Sequence, residues 1–217
     1  MCSELNPPDS PWDFRSFEWP EQDAIVAGAD LEVSTILRAY TQGLFPMPSD
    51  GELLWWSPME RGVLEPGDLH VSRSLRRSMR GFTFTTDQDF EAVIAHCADP
   101  KRAGRWIDSD IEQAYIRLHQ AGWAHSIETR DHEGRLVGGL YGVHLGGLFC
   151  GESMFHLERD ASKAALAHLV ERMSKHPDWL IDTQWQTPHL KTLGVREIDR
   201  NAYLDRIEEI IGHSSVF

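Results

Sequence analysis

Hydrophobic positions keep the helical or the strand period along most of the chain from residue 30 onward, whereas residues 1–29 keep neither. That first stretch, rich in Pro, Asp and Trp, reads as an extended or irregular arm. Asp30 then suits the cap of a helix with Val33, Ile36, Leu37 and Tyr40 on one face, which Gly43 ends. Residues 44–66, with Pro46, Pro48, Pro58, Pro66 and the Trp55-Trp56 pair, read as turns around short strands. A small N-terminal α+β subdomain is therefore expected over residues 1–66, followed by a larger unit over 67–217.

The larger unit is better patterned. Ser72–Arg80 predicts a short helix stopped by Gly81, Phe82–Thr86 a strand, and Asp87–Cys97 a helix with Phe90, Val93, Ile94 and Cys97 on its apolar face. Ser109 and Glu112 have capping-box spacing ahead of Ile111, Ala114, Tyr115 and Leu118. Three strands follow, Trp123–Thr129, Leu136–His144 and Leu148–Ser153, joined by an Asp131–Gly134 turn and a Gly146-Gly147 turn. Asp160 is placed to cap a long helix with Ala165, Leu166, Leu169, Val170 and Met173 in its core stripe. Leu180–Gln184 predicts a returning strand, and Thr187-Pro188 opens a short helix that Gly194 closes. Helices, a meander, a long helix and a returning strand describe an α+β fold with a mixed sheet, the layout of the N-acyltransferase (GNAT-like) superfamily.

Composition narrows the class. With 217 residues, 41% hydrophobic and 25% charged, the chain has the make-up of a globular protein with a substantial core. Cys2, Cys97 and Cys150 are odd in number and widely spaced, which suits a reducing compartment. The N-terminal residues lack the basic and apolar regions of a secretory signal, and no apolar run is long enough to span a bilayer, so a cytoplasmic location is expected. A net charge of −13 opposes general affinity for polyanions. Residues 71–80 are the exception, with four arginines and no acid.

Two apolar runs end by presenting polar groups: residues 147–155, GLFCGESMF, and residues 180–184, LIDTQ. A buried, unpaired carboxylate is costly, so Glu152 and Asp182 should meet a cation or face water. If both open on one cavity, that cavity suits a positively charged ligand. Asp182 and Gln184, two apart on a strand, should share a face. Eleven histidines show no persuasive metal-ligand spacing, and Cys150 within a strand suits packing better than nucleophilic attack.

Longer motifs carry a closer resemblance. Residues 39–46 (AYTQGLFP), 54–58 (LWWSP), 69–76 (LHVSRSLR), Trp106-Ile107, 138–142 (GGLYG), 149–155 (FCGESMF), 160–163 (DASK) and 181–184 (IDTQ) resemble the leucyl/phenylalanyl-tRNA–protein transferase family over about residues 30–205. The resemblance implies transfer of Leu or Phe, with Met a further donor, from aminoacyl-tRNA to the N-terminal amine of proteins that begin with Arg or Lys. The products feed N-degron proteolysis. It further implies a monomer with an N-acyltransferase fold that uses no metal and no other cofactor.

Aminolysis of an ester needs a neutral, well-placed amine and help with its proton, and no enzyme nucleophile. The family pattern sets Asp182 and Gln184 beside the reacting amine, with Asp182 orienting or deprotonating it and Gln184 near the ester. It gives Glu152 the incoming basic N-terminus. Leu140, Phe149, Leu169, Met173 and Ile181 are candidates for the pocket of the donor side chain, or ordinary core. Leu169 and Met173 stand where the family often has aromatic residues. Tyr40, Trp56 and Trp106 are candidates to stack on the terminal adenosine, or to pack the subdomain.

Arg73, Arg76, Arg77 and Arg80 lie at i, i+3, i+4 and i+7, one face of a helix, with Leu75 and Met79 on the other. Either the chain's surplus acids neutralise this face or tRNA phosphates do. Two rival functions use parts of the same pattern. An acetyl-CoA-dependent N-acetyltransferase would need a glycine-rich pyrophosphate loop, and the nearest run, Arg135–Leu140, ends on a bulky residue. A non-catalytic adaptor for basic N-termini would need Glu152 and Asp182 but neither Gln184 nor the arginines.

Overall fold

In a computed structural model, which describes residues 7–102 and 106–217, the chain builds two sheets. The elements in order are β1 (Ala24–Ala27), α1 (Val33–Thr41), β2 (Phe45–Ser49), β3 (Glu52–Trp56), β4 (Glu60–Leu64), α2 (Arg73–Met79), β5 (Thr83–Thr86), α3 (Phe90–Cys97), α4 (Ser109–Gln120), β6 (Ala124–Arg130), β7 (Leu136–Leu145), β8 (Leu148–His156), α5 (Ala161–Met173), β9 (Leu180–Asp182), α6 (Pro188–Lys191), β10 (Arg196–Asp199) and α7 (Arg200–Ile210). The larger sheet has the order β10-β4-β9-β8-β7-β6-β5, and β8-β9 is its one parallel pair. The fold is α+β with a mixed sheet.

Strand alternation sends side chains to two cores. Cys150, Tyr141 and Val143 face a cluster supplied by α1, α3, α4 and α7, while Phe149, Leu140 and Ile127 face one supplied by α2 and α5. The sheet is therefore covered on both sides. Burial on both faces explains why β7 has only one residue that is not buried and reads as a continuous apolar run.

The small sheet β1-β3-β2 comprises only residues from the first 56. Asp50 and Gly51, both at positive φ, turn β2 into β3. The division drawn at Pro66 leaves β4 on its N-terminal side, although β4 pairs with β9 and β10 in the larger sheet. The arm also differs from its expectation. It contributes β1, and Phe14 is buried against Trp55 with ring centroids 4.9 Å apart. Residues 1–6, with Cys2, lie outside the described residues.

Three caps differ from their predicted form. Asp108, not Ser109, caps α4, its carboxylate accepting from the backbone N–H groups of Asp110 and Ile111 at 3.0 and 2.9 Å. A carboxylate that holds two orphan donors leaves Ser109 free to become the first helical residue. Asp160 sits at φ 66° without a capping bond and accepts instead from Ser78 Oγ at 2.8 Å, which ties α5 to α2. Glu32 occupies the cap position of α1, and Asp30 accepts from its N–H at 3.1 Å.

Candidate active site

β8 and β9 are paired only over Leu148–Leu180, Phe149–Ile181 and Cys150–Asp182. Beyond that point β9 ends and β8 continues to His156 paired with β7 only. A gap between parallel strands leaves a recess in the sheet, and a cavity of about 130 Å³ occupies it. Its lining is mostly apolar, with Leu140, Leu166, Leu169, Ile181 and Leu190, and also includes Glu152, Ser153, Thr183 and Gln184. An apolar cavity of about 150 Å³ is known to hold a benzene-sized group. This one fits a single hydrophobic side chain.

Glu152 reaches the cavity through an irregularity of the strand. The β7–β8 register pairs Tyr141 with Ser153 and Gly142 with Gly151, so Glu152 is the extra residue of a β-bulge. A bulge shifts alternation by one, which is how Met154 joins the same core as Phe149 while Phe155 joins that of Cys150. Gly142 is required opposite the bulge, because a Cβ there would lie 2.2 Å from the Cys150 carbonyl oxygen.

The Glu152 carboxyl is held by two tyrosines. Tyr40 Oη, from α1, lies 2.6 Å from Oε1, and Tyr115 Oη, from α4, lies 2.9 Å from Oε2. Burial pushes the Glu152 pKa up to about 7, although both hydroxyls act to lower it. The cation expected for either acid is Arg61, and it pairs with Asp182.

Asp182 is fully buried and its carboxylate is saturated. Arg61 of β4 donates through Nε to Oδ1 at 2.8 Å and through Nη2 to Oδ2 at 2.6 Å, the Gln184 N–H donates to Oδ1 at 2.8 Å, and Tyr203 Oη to Oδ2 at 3.0 Å. Burial opposes the charge of Arg61, but Asp182 outweighs it and raises the guanidinium pKa above its ordinary value. Asp182 is absent from the cavity wall. Its partner is therefore internal, and the two acids do not open together on one cavity.

The expected strand over 180–184 stops at Asp182, and Gln184 takes a left-handed conformation with φ 58°. Gln184 shares a site with Asp182 through the N–H bond just given, and not through strand alternation. Its side-chain amide is satisfied with nitrogen donating to the carbonyls of Gly151 at 3.0 Å and Thr183 at 3.1 Å. That contact pins Gln184 beside the Glu152 bulge. Gly62 of β4 makes room for the turn, since a Cβ there would approach Gln186 N and Trp185 C at 2.8 Å.

Of the five pocket candidates, Leu140, Leu169 and Ile181 line the cavity. Phe149 and Met173 belong to the same core cluster but not to its wall. Tyr40, considered for base stacking, is 1% exposed and committed to Glu152 and Tyr115, so its ring has no free face. Trp56 and Trp106 are half-buried; Trp56 donates to the Met47 carbonyl at 2.9 Å and meets Trp185 edge-on. Arg73, Arg76, Arg77 and Arg80 are all exposed, and none forms a salt bridge among the described residues. Asp160, the acid α2 touches through Ser78, faces Arg159 and Lys163.

Sequence reasoning missed Arg61, Tyr115 and Tyr203. Arg61 was visible as a charge just ahead of the apolar Val63-Leu64 pair, and Tyr115 as a hydroxyl on the apolar face of α4. A Ser–His contact does exist, Ser215 Oγ to His144 Nδ1 at 3.3 Å, but neither residue lines the cavity. Residues 136–140, the nearest match to a pyrophosphate loop, are hydrogen-bonded in β7 between β6 and β8, which leaves no free loop for a phosphate.

Burial pushes the Cys150 thiol far above its ordinary pKa, so the thiol beside the site is inert. What such a cleft can do is hold one apolar group next to a polar one, which is the work of an acyltransferase whose donor arrives already activated. Comparison with known proteins supplies the particular family. Residues 63–208 match the family model described as "Leucyl/phenylalanyl-tRNA protein transferase", and residues 29–59 match its N-terminal domain. The chain is 48% identical over 192 residues to the leucyl/phenylalanyl-tRNA–protein transferase of Chromohalobacter salexigens, covering 86% of this chain and 75% of that one. It is 43% identical over 203 residues to the one from Maridesulfovibrio salexigens, covering 90% and 85%. The chain belongs to the leucyl/phenylalanyl-tRNA–protein transferase family, and its reaction is aminoacyl transfer from tRNA to protein. No described helix is long and apolar enough to cross a membrane.

Proposed function

We propose that this enzyme, acting in the cytoplasm as a monomer, transfers Leu or Phe to proteins that begin with Arg or Lys, with the donor side chain in the 130 Å³ cavity and the acceptor amine between Glu152 and Gln184. The observation that carries this reading is that an acid, an amide and several apolar side chains line one chamber. Glu152 attracts the cationic N-terminus. Gln184, its nitrogen tied to Gly151 and Thr183, turns its remaining acceptor capacity to the amine or the ester. Asp182 acts one layer back, orienting Gln184 through the bond to its N–H.

The bound ammonium first gives its extra proton to solvent, and in the step itself the neutral amine nitrogen attacks the ester carbonyl carbon. A C–N bond forms, the bond from that carbon to the ribose oxygen breaks, and the amine proton ends on the departing hydroxyl. An effective concentration set by positioning supplies most of the acceleration, since the ester needs no further activation. The parting of β8 from β9 beside an acyl-binding recess supports the N-acyltransferase reading of the larger unit.

Trp56 and Trp106 are assigned to the terminal adenosine of the tRNA, and the exposed arginines of α2 to its phosphates. α2 packs on α5, whose Leu166 and Leu169 line the cavity, so phosphate contacts there lie on the same side of the sheet as the donor pocket. The test is to incubate the protein with an Arg-starting peptide and either Phe-charged tRNA or acetyl-CoA, and to weigh the peptide. A gain of one Phe with the tRNA alone is expected, reduced about ten- to a hundredfold by Glu152→Gln. Acetylation, or an undiminished rate in the variant, would overturn the reading.

A further inference from the structure

Tyr40 Oη and Tyr115 Oη, besides touching Glu152, lie 2.6 Å from each other. Three short contacts therefore link two hydroxyls and one carboxyl in a closed ring: Tyr40 to Oε1, Tyr115 to Oε2, and Tyr40 to Tyr115. Each such contact is a hydrogen bond only if a proton lies in it. Two tyrosines supply two protons, one each, and an ionised carboxylate supplies none. One contact of the three would then press bare lone pairs together. A carboxylic acid supplies the third proton, and every member of the ring then donates once and accepts once.

We propose that Tyr40 and Tyr115 are positioning residues that keep Glu152 as a neutral acid while the acceptor site is empty, and that the cationic amine of the acceptor drives this proton out on binding. The inference rests on the reading of Glu152 as the acceptor's partner. Loss of a tyrosine proton does not supply an alternative, because burial pushes both hydroxyls well above their ordinary pKa. The groups that act on Glu152 come from each element around it: Tyr40 of α1, Tyr115 of α4, Tyr141 of β7, Cys150 of β8, Asp182 of β9 and Arg61 of β4. Of these only Arg61 is cationic, and it is committed to Asp182. Among the described residues, therefore, a charge on Glu152 is only partly offset, by the two hydroxyls and by an Arg61 already shared with Asp182, and the cationic substrate completes the compensation.

The neutral acid serves specificity. An empty site that is uncharged costs little to bury, and the carboxylate appears only when a cation arrives to neutralise it. Binding becomes an exchange of one proton for one cationic amine. Below the range in which free Glu152 ionises, acceptor affinity should fall by about tenfold for each unit of pH.

Two measurements test this. Infrared spectra of the free protein near pH 6, wild type minus Glu152→Gln, should contain a carboxylic C=O band that vanishes when an Arg-starting peptide is added and that moves to higher frequency in Tyr115→Phe, where one hydrogen bond to the acid is gone. Calorimetry in buffers of different ionisation enthalpy should then give about one proton released per peptide near pH 6, none of it from Glu152→Gln, and net uptake near pH 8.5, where Glu152 is already ionised and the free α-amine, with a pKa of about 8, gains its proton on binding. Absence of the band in the free protein, a band indifferent to Tyr115→Phe, or equal release from Glu152→Gln would overturn the proposal. Failure of the peptide to bind would instead overturn the acceptor reading, while the free protein's band still decides the ring.

Discussion

Arg61 and Asp182 form a two-point ion pair across β4 and β9, buried from solvent and joining residues 121 apart in sequence. The Arg61 guanidinium also stacks over the Tyr203 ring at 4.3 Å and donates to the Gly43 carbonyl at 3.1 Å. One cation thus fixes the strand beneath Gln184, the turn after α1 and the helix α7. Removing one member of such a pair strands the other charge, which costs about 3–5 kcal/mol. Arg61→Leu should lower the thermal unfolding midpoint severely, and Arg61→Leu with Asp182→Leu should recover part of the loss. Lys at position 61 should not restore wild-type stability, because an ammonium cannot make both bonds in one plane.

The cavity separates pocket from packing. Leu169 lines it and Met173 does not, so Leu169→Phe should narrow the space and shift competition between Leu- and Phe-charged tRNA toward Leu. Differences of a few methylene groups are worth about 1–3 kcal/mol, enough for a ten- to hundredfold change in ratio. Met173→Phe should leave that ratio unaltered and cost about 1–3 kcal/mol of stability through overpacking. A changed donor ratio in Met173→Phe, or none in Leu169→Phe, would show that the cavity is not the donor pocket.

The arginines of α2 should act through RNA alone. Replacing Arg76 and Arg77 by Ala should weaken use of aminoacyl-tRNA, flatten its salt dependence by about one to two units of log–log slope, and spare a minimal aminoacyl-adenosine donor. Both side chains are exposed and form no salt bridge among the described residues, so the thermal midpoint should hardly move. Equal losses with both donors would assign the helix to the fold.

Stability should carry the mark of Glu152. Its pKa rises from 4.5 to about 7 on folding, so between those values the folded state binds more protons than the unfolded one, and stability falls as pH rises. The full effect is roughly 3 kcal/mol, complete near neutrality. His144, pushed down by burial to about 3, works in the other direction, adding stability as pH rises from 3 to 6.5. Comparing wild type with Glu152→Gln cancels the histidine. The difference in unfolding free energy should grow in the variant's favour from about pH 4.5 to 7, and a flat difference would contradict a buried, proton-binding Glu152.

Local chemistry made most elements legible. The stripes of α1, α3, α4 and α5 gave correct helices because each buries one face, and glycine turns marked the β6–β7–β8 meander because their conformations demand glycine. Leu140, Leu169 and Ile181 were named, with Phe149 and Met173, from the family motifs alone, since local chemistry marks all five as core. The site's inner support was not. Arg61 meets Asp182, and Tyr40 and Tyr115 meet Glu152, only through pairings between distant strands and helices, and no sequence period encodes a partner. The parity that seemed to join Asp182 with Gln184 failed where the strand ended, and a bulge, one residue out of register, aims Glu152. β10 and α7 went unassigned, although Tyr203 of α7 helps to hold Asp182.

The place of β4 between β9 and β10 has a consequence for biosynthesis. A ribosome delivers residues 60–64 long before it delivers 180–182 and 196–199, so the strand waits unpaired for most of translation. Pairings between such distant segments form slowly and late. Arg61 meanwhile remains a hydrated cation without its acid, Gln184 has not been made, and the recess between β8 and β9 has one wall. The nascent chain is catalytically silent until residues 180–203 have been synthesised, so a transferase that acts on protein N-termini does not act while this part of its own chain is missing.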